Sequence, residues 1–209
     1  EESACLDLLL GSDAVLMWGN HDLSYLPETP WRCFGNFGPL AFRDKYQENR
    51  LRFVAAYAVD GWLLTHAGVS PRLAKLIPPG ILAGGPERIA RWLNEEFEKE
   101  IRMPAPAGDS GRFGHGPLFN VPLCRGGYDA FGGIFWHDAE GEQSQPSPEV
   151  GPQIFGHSPV PVPERGHSRL SAGPGSGREG PSWINLDATQ SGVWIYDTAS
   201  DTILDLAQA

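Results

Sequence analysis

Three histidines share one setting in this sequence. Each follows a short apolar run and stands at a turn: Val15-Leu16-Met17-Trp18 leads into Gly19-Asn20-His21-Asp22, Trp62-Leu63-Leu64-Thr65 into His66-Ala67-Gly68, and Gln153-Ile154-Phe155 into Gly156-His157-Ser158. A strand that ends in a glycine turn holds a polar side chain where α/β folds present their site residues. The strand fixes the backbone, and glycine lets it turn sharply. Imidazole is the commonest side-chain ligand of transition metals, and an amide oxygen such as that of Asn20 suits manganese, iron or zinc in mixed sites. The three turns can converge on one metal centre. Taken singly, each histidine is more often a hydrogen-bonded loop or core residue than a ligand; the repetition is what points to a site.

The elements behind these turns follow from periodicity. Ser3 to Leu10 reads as the end of an amphipathic helix stopped by Gly11, and Ala14 to Trp18 as a buried strand. Between Phe53 and Ala67, two β-rich runs flank Asp60-Gly61, a strong two-residue hairpin signal. Ile89, Trp92, Leu93, Phe97 and Ile101 recur at helical spacing, which predicts a helix from Pro86 to Ile101. Residues 103–133 are rich in Gly and Pro and read as loops. Strands follow at Gln153 to Phe155, Trp183 to Leu186, Gly192 to Tyr196 and Thr202 to Leu206, and residues 161–182 read as a flexible surface excursion. This mixture predicts an α/β or α+β chain with sheet packed on sheet.

Composition narrows the function classes. The 209 residues carry 16 Lys and Arg against 26 Asp and Glu, a net charge of −10 with no basic block, which argues against a nucleic acid partner. With 41% hydrophobic residues the chain can bury a core, so residues 1–209 are read as a single domain rather than a disordered one. No apolar run approaches the ~18 residues of a membrane span, so no membrane role is expected. Cys5, Cys33 and Cys124 are widely spaced and form no CxxC pair. That pattern favours neither a zinc ribbon nor a disulfide framework, and it suits a reducing, cytoplasmic location.

Gly19-Asn20-His21-Asp22 resembles the GNHD/GNHE motif of the calcineurin-like metallophosphoesterases. Thr65-His66-Ala67-Gly68-Val69-Ser70-Pro71 is similar to the H-x-G-x-S-P block of their phosphoprotein phosphatase branch, and Gly156-His157-Ser158-Pro159 to its later turn. Ile184-Asn185-Leu186-Asp187 with Gly192-Val193-Trp194-Ile195 is similar to the closing hairpin of these proteins. Arg125-Gly126-Gly127 and Gly132-Gly133-Ile134-Phe135-Trp136 resemble a segment of bacterial members. The resemblance spans nearly the whole chain, with the motifs in order. It implies an α/β fold in which a two-sheet β-sandwich is flanked by helices in four αββα layers. It also implies two divalent metal ions, manganese first with iron, zinc or cobalt as alternatives. Asn20 and His66 would hold one ion and His157 the other, while His21 protonates the leaving oxygen and Arg125 clamps phosphate. Two cations about 3.5–4 Å apart polarise a phosphoryl group and share a hydroxide that attacks in line. The implied substrates are phosphomonoesters of the phosphoserine or phosphothreonine kind, on a small molecule, nucleotide or phosphoprotein. The alternatives are a dinucleoside polyphosphate hydrolase of the same fold and a non-catalytic scaffold domain.

The pattern also departs from that family. Its D-x-H and G-D-x-x-D-R-G motifs, which supply three ligands of the metal pair, are not present in this sequence. Gly108-Asp109-Ser110-Gly111-Arg112 imitates part of the second but follows His66, so it is read as coincidence. The chain is accordingly expected to be N-terminally truncated, lacking a strand, loop, helix and strand, and to be inactive alone. Among the other residues, His115 and His167 are expected to be solvated in loops, and His137 either lines the mouth of the site or is plain surface. Asp22 is expected to cap or orient its turn, and Trp62, Trp92, Trp183 and Trp194 to pack in the core.

Overall fold

The computed structural model describes residues 2–28, 40–103, 116–169, 179–188 and 191–206. Cys33, His115 and the Gly108 to Arg112 run lie outside these residues. The chain is mixed α/β. Helix α1 (Glu2–Leu10) ends where expected, with the Gly11 N–H bonded to Asp7 O at 2.9 Å. It buries Leu6 but leaves Leu8 and Leu9 exposed. The strand predicted at 14–18 contracts to β1 (Leu16–Met17), followed by the one-turn helix α2 (Asn20–Leu23) and by α3 (Leu40–Glu48).

The apolar run from Phe53 to Ala67 does more than form a hairpin. It begins as β2 (Phe53–Val54), parallel to β1 with Phe53 opposite Leu16, and resumes as β3 (Ala56–Val59) in another sheet. Ala55 is the changeover. The Asn94 side chain caps that break, accepting from Ala55 N at 2.8 Å and Ala56 N at 3.2 Å and donating to Ala56 O at 2.8 Å. Strand β4 (Trp62–Thr65) returns antiparallel, and the turn residues Asp60 (φ 49°) and Gly61 (φ 77°) are both left-handed, as the dipeptide predicts.

Helices α4 (Pro71–Ala74), α5 (Pro79–Leu82) and α6 (Gly85–Glu100) follow. Helix α6 packs across β3 and β4 through Ile89, Leu93 and Phe97. Phe97 in turn stacks on Phe119 (5.6 Å) and meets Phe135 edge-on (5.8 Å). Each such fully buried side chain contributes about 1.5–3 kcal/mol of transfer free energy. These residues belong to a buried cluster that runs from Leu6 to Val150. Trp18, 1% exposed, is its largest member, and the partly buried Trp92 packs against the cluster as expected, whereas Trp62, Trp183 and Trp194 are only partly buried and outside it, a correction to their core placement.

Strands β5 (Gln153–Phe155), β6 (Glu164–Arg169) and β7 (Glu179–Asn185) complete a five-stranded mixed sheet in the order β3-β4-β5-β7-β6. Its centre is parallel, β4 to β5 to β7, and its margins are antiparallel. The 161–182 segment is therefore not simply an excursion: residues 164–169 and 179–182 lie in paired strands, and 170–178 lie outside the described residues. Gly166 faces Trp183, and a Cβ there would come within 2.3 Å of the indole. The close fit of ring over glycine identifies the edge pair that polar composition concealed.

A last hairpin joins β8 (Trp194–Asp197) to β9 (Thr202–Asp205). The Ile184 and Gly192 segments thus lie in different sheets, so the closing hairpin is β8 with β9. No described helix is long and apolar enough to cross a membrane.

Candidate metal centre

The three turns meet. Strand β1 ends at Met17, one residue before Trp18, and Gly19 caps α2, so Asn20 and His21 occupy the first turn of that helix. The turn is tightly packed at Gly19, where a Cβ would stand 3.0 Å from His66 Cε1 and 3.1 Å from Asp22 Oδ2. His66 follows β4 directly. Its carbonyl accepts the Gly156 N–H at 2.9 Å, which ties the second turn to the third.

His157 has φ 71°, and Ser158 N donates to Gly156 O at 2.9 Å. That is the strained form of the three-residue γ-turn, a conformation that persists only where neighbours impose it. Those neighbours are identifiable. Asn185 Nδ2 donates to Ser158 O at 2.9 Å, and the Trp136 ring meets His157 edge-on at 5.6 Å.

His66 Nε2 lies 2.9 Å from Asn20 Oδ1 and 3.2 Å from His157 Nδ1. Two donors held about 2.1 Å from one ion stand roughly 3.0 Å apart at a right angle and roughly 3.4 Å apart at the tetrahedral angle. The observed spacings are edges of such a polyhedron. The resemblance divides these residues between two ions; in the structure Asn20 Oδ1 and His157 Nδ1 each stand within 3.2 Å of His66 Nε2. One feature fits a cation: His157 Nε2 is buried without a hydrogen-bond partner. Among the described residues no cluster of three or more His, Cys, Asp or Glu side chains could hold an ion.

Burial pulls the His66 pKa down to about 4, with the nearby charge of His21 adding to it. Burial acts on His157 in the same direction and further, reinforced by the charges of His66 and Arg125. Both rings are neutral at pH 7, the form that ligates metal. His21 is exposed, yet close enough to act electrostatically on both rings.

Arg125 ends the short 3-10 turn Leu123–Arg125, closed by Gly126 at φ 82°. Its Nη2 donates to Ser158 Oγ at 3.0 Å, and its Nε pairs with Asp138 at 2.7 Å. The guanidinium therefore sits against the His157-Ser158 turn.

Some sequence expectations change. His137 is buried, 2% exposed, with its ring nitrogens 3.2 Å from Ala67 O and 2.9 Å from Ser144 O; it is a strut rather than surface. His167 is exposed as expected, but on β6 rather than in a loop. Ser70 of the H-x-G-x-S-P block caps α4 by accepting from Leu73 N at 3.2 Å, with Pro71 in the first turn, which is a structural role. Asp22 does orient its turn: Oδ2 accepts Gly19 N at 3.0 Å and Oδ1 accepts the Tyr46 hydroxyl at 2.6 Å. Tyr46 carried no sequence signal, because its partner lies 24 positions away.

No family model, curated protein or solved structure matches the chain.

Proposed function

We propose that this chain carries the site of a metal-dependent phosphoester hydrolase acting on phosphomonoesters, within the four-layer αββα architecture of the calcineurin-like metallophosphoesterases. The observation that carries this reading is the approach of Asn20 Oδ1 and of His157 Nδ1 to within 3.2 Å of His66 Nε2, with an exposed His21 and a guanidinium against the His157-Ser158 turn. Asn20, His66 and His157 would hold a divalent ion, and manganese, iron, zinc or cobalt all accept such donors. When bound, that ion supplies Lewis-acid polarisation of a phosphoryl oxygen. The described residues offer one such donor set, so a second ion would draw its ligands from elsewhere.

The chain's own residues supply the rest. Arg125 presents N–H donors in a planar fork, the geometry that recognises phosphate oxygens, and its bonds to Asp138 and Ser158 hold it in place. His21, as an imidazolium, donates a proton to the leaving alkoxide, so that the ester oxygen departs as an alcohol. The γ-turn at His157 keeps the imidazole fixed and so avoids reorganisation during the reaction.

The test is hydrolysis of p-nitrophenyl phosphate by protein expressed from its complete coding frame, with Mn²⁺ added or chelated. Turnover that requires the ion and falls about 10²–10⁴-fold in His21→Ala is expected. Absence of Mn²⁺-dependent turnover, or full activity in His21→Ala, overturns the reading.

A further inference from the structure

Beside the histidine cluster lies a cavity of about 210 Å³. Two of its walls, Ala67 and Ser158, are the chain neighbours of His66 and His157, a step of about 3.8 Å between Cα atoms. We propose that this cavity is the leaving-group subsite and that it takes a single aromatic ring bearing a positively charged amine. The proposal rests on the phosphoesterase reading of the adjacent site and names its substrate class: the phosphomonoester of a small aromatic amine.

Shape and chemistry agree on that occupant. The inner wall is apolar and aromatic, formed by Ala67, Phe155, Trp183, Ala139 and Pro146. A cavity of about 150 Å³ is enough for a benzene ring, so this one holds a ring and a short chain. Three of the polar wall residues are already engaged, whereas the Trp183 indole N–H is buried without a partner. Both nitrogens of His137 face backbone carbonyls, Ser158 Oγ accepts from Arg125, and Asn185 donates to Ser158 O and accepts from Asp187 N.

At the rim stand Glu140 and Glu164, both exposed, and neither forms a salt bridge or side-chain hydrogen bond with another described residue. An apolar floor beneath two carboxylates favours a ring whose substituent is cationic and disfavours an anion. A leaving group that is itself a polyphosphate would meet like charge there, which separates this class from dinucleoside polyphosphates.

The cavity can be probed without turnover. Binding of phenethylamine and of its anionic analogue 3-phenylpropionate is measured on the full chain by ligand-observed NMR and tryptophan fluorescence. Phenethylamine is expected to bind at least tenfold more tightly than the anion. Ala139→Phe, which fills the cavity, should abolish its binding, and the exposed pair Glu140→Gln with Glu164→Gln should level the two ligands without disturbing the fold. Equal affinity for both ions in the unmodified protein, or a preference that survives the double glutamine variant, overturns the proposal.

A parallel titration with Mn²⁺ and inorganic phosphate separates the two readings. Amine binding without Mn²⁺-dependent phosphate binding leaves a cation-selective cavity and removes its role as a leaving-group subsite. Phosphate binding without amine binding removes the cavity proposal and leaves the phosphoesterase reading standing.

Discussion

Tyr46 donates its phenolic hydrogen to Asp22 Oδ1 over 2.6 Å, while the other Asp22 oxygen accepts the Gly19 N–H. One carboxylate thus joins the turn that presents Asn20 and His21 to helix α3, and through Tyr46 to the ring of Tyr25 stacked on it and to the tilted rings of Trp18 and Phe53. Burial raises the Asp22 pKa, and these two hydrogen bonds act against that shift. Tyr46→Phe keeps the ring but leaves Oδ1 without this donor. We expect a loss of about 1–3 kcal/mol in urea unfolding. A change below about 0.5 kcal/mol, the ordinary scatter of surface substitutions, would show that the bond contributes nothing.

Stability of the metal-free protein should fall in acid before its carboxylates titrate. His66 and His157 are held neutral in the folded state, with pKa values below the ordinary 6.5. The unfolded chain therefore binds protons that the folded chain refuses. Their contribution is fully present above pH 6.5 and is lost as pH falls towards about 4, at up to about 1.4 kcal/mol per pH unit for each ring. Urea midpoints at pH 7, 6 and 5 measure this, and His66→Ala should flatten the slope. Unchanged midpoints across that range would contradict the burial argument.

Glu100 gives the opposite sign. Burial raises its pKa from 4.5 to about 7, although its carboxylate accepts the Leu118 N–H at 2.9 Å. A carboxyl raised in the folded state stabilises fully below pH 4.5, and that contribution is gone once pH exceeds about 7. Glu100→Gln retains an acceptor for Leu118 and removes the charge. The variant should match the parent near pH 4 and exceed it by roughly 2–3 kcal/mol at pH 8. Equal stability of the two proteins at pH 8 would count against a buried charge.

Two glycines should respond differently to alanine. Gly61 has φ 77° with nothing within 4 Å of a new Cβ, so Gly61→Ala costs only the left-handed backbone, about 1–2 kcal/mol. At Gly133 a Cβ would lie 2.0 Å from Leu118 O, and backbone cannot yield as a flexible side chain does. Gly133→Ala should cost about 3 kcal/mol or more and displace the loop bearing Trp136 and His137. Thermal melts of both variants, compared directly, decide whether the ranking holds.

Local chemistry made much of the fold readable. Asp60-Gly61 predicts its turn because few other dipeptides tolerate two left-handed residues. Helix α6 emerges within one residue of its predicted start because one apolar face recurs at helical spacing. Strand β6 was illegible: the Glu164 to Arg169 run is polar and contains glycine, and it becomes a strand only because Gly166 admits the indole of Trp183. The break at Ala55 was hidden for a similar reason, since its cap, Asn94, lies 39 positions away.

The sequence by itself determined the candidate donors, Asn20, His21, His66 and His157, and their place after apolar strands, since residue type and local periodicity are properties of neighbours in the chain. Only the tertiary structure decided that Asn20 Oδ1 and His157 Nδ1 both lie within 3.2 Å of His66 Nε2, that Arg125 is tied to Ser158, and that His137 is a buried strut. Those relationships join residues separated by 33 to 91 positions, across strands whose order in the sheet no local pattern encodes. Distance between side chains depends on how β4, β5 and β7 align, and that alignment is set by the packing of the whole chain.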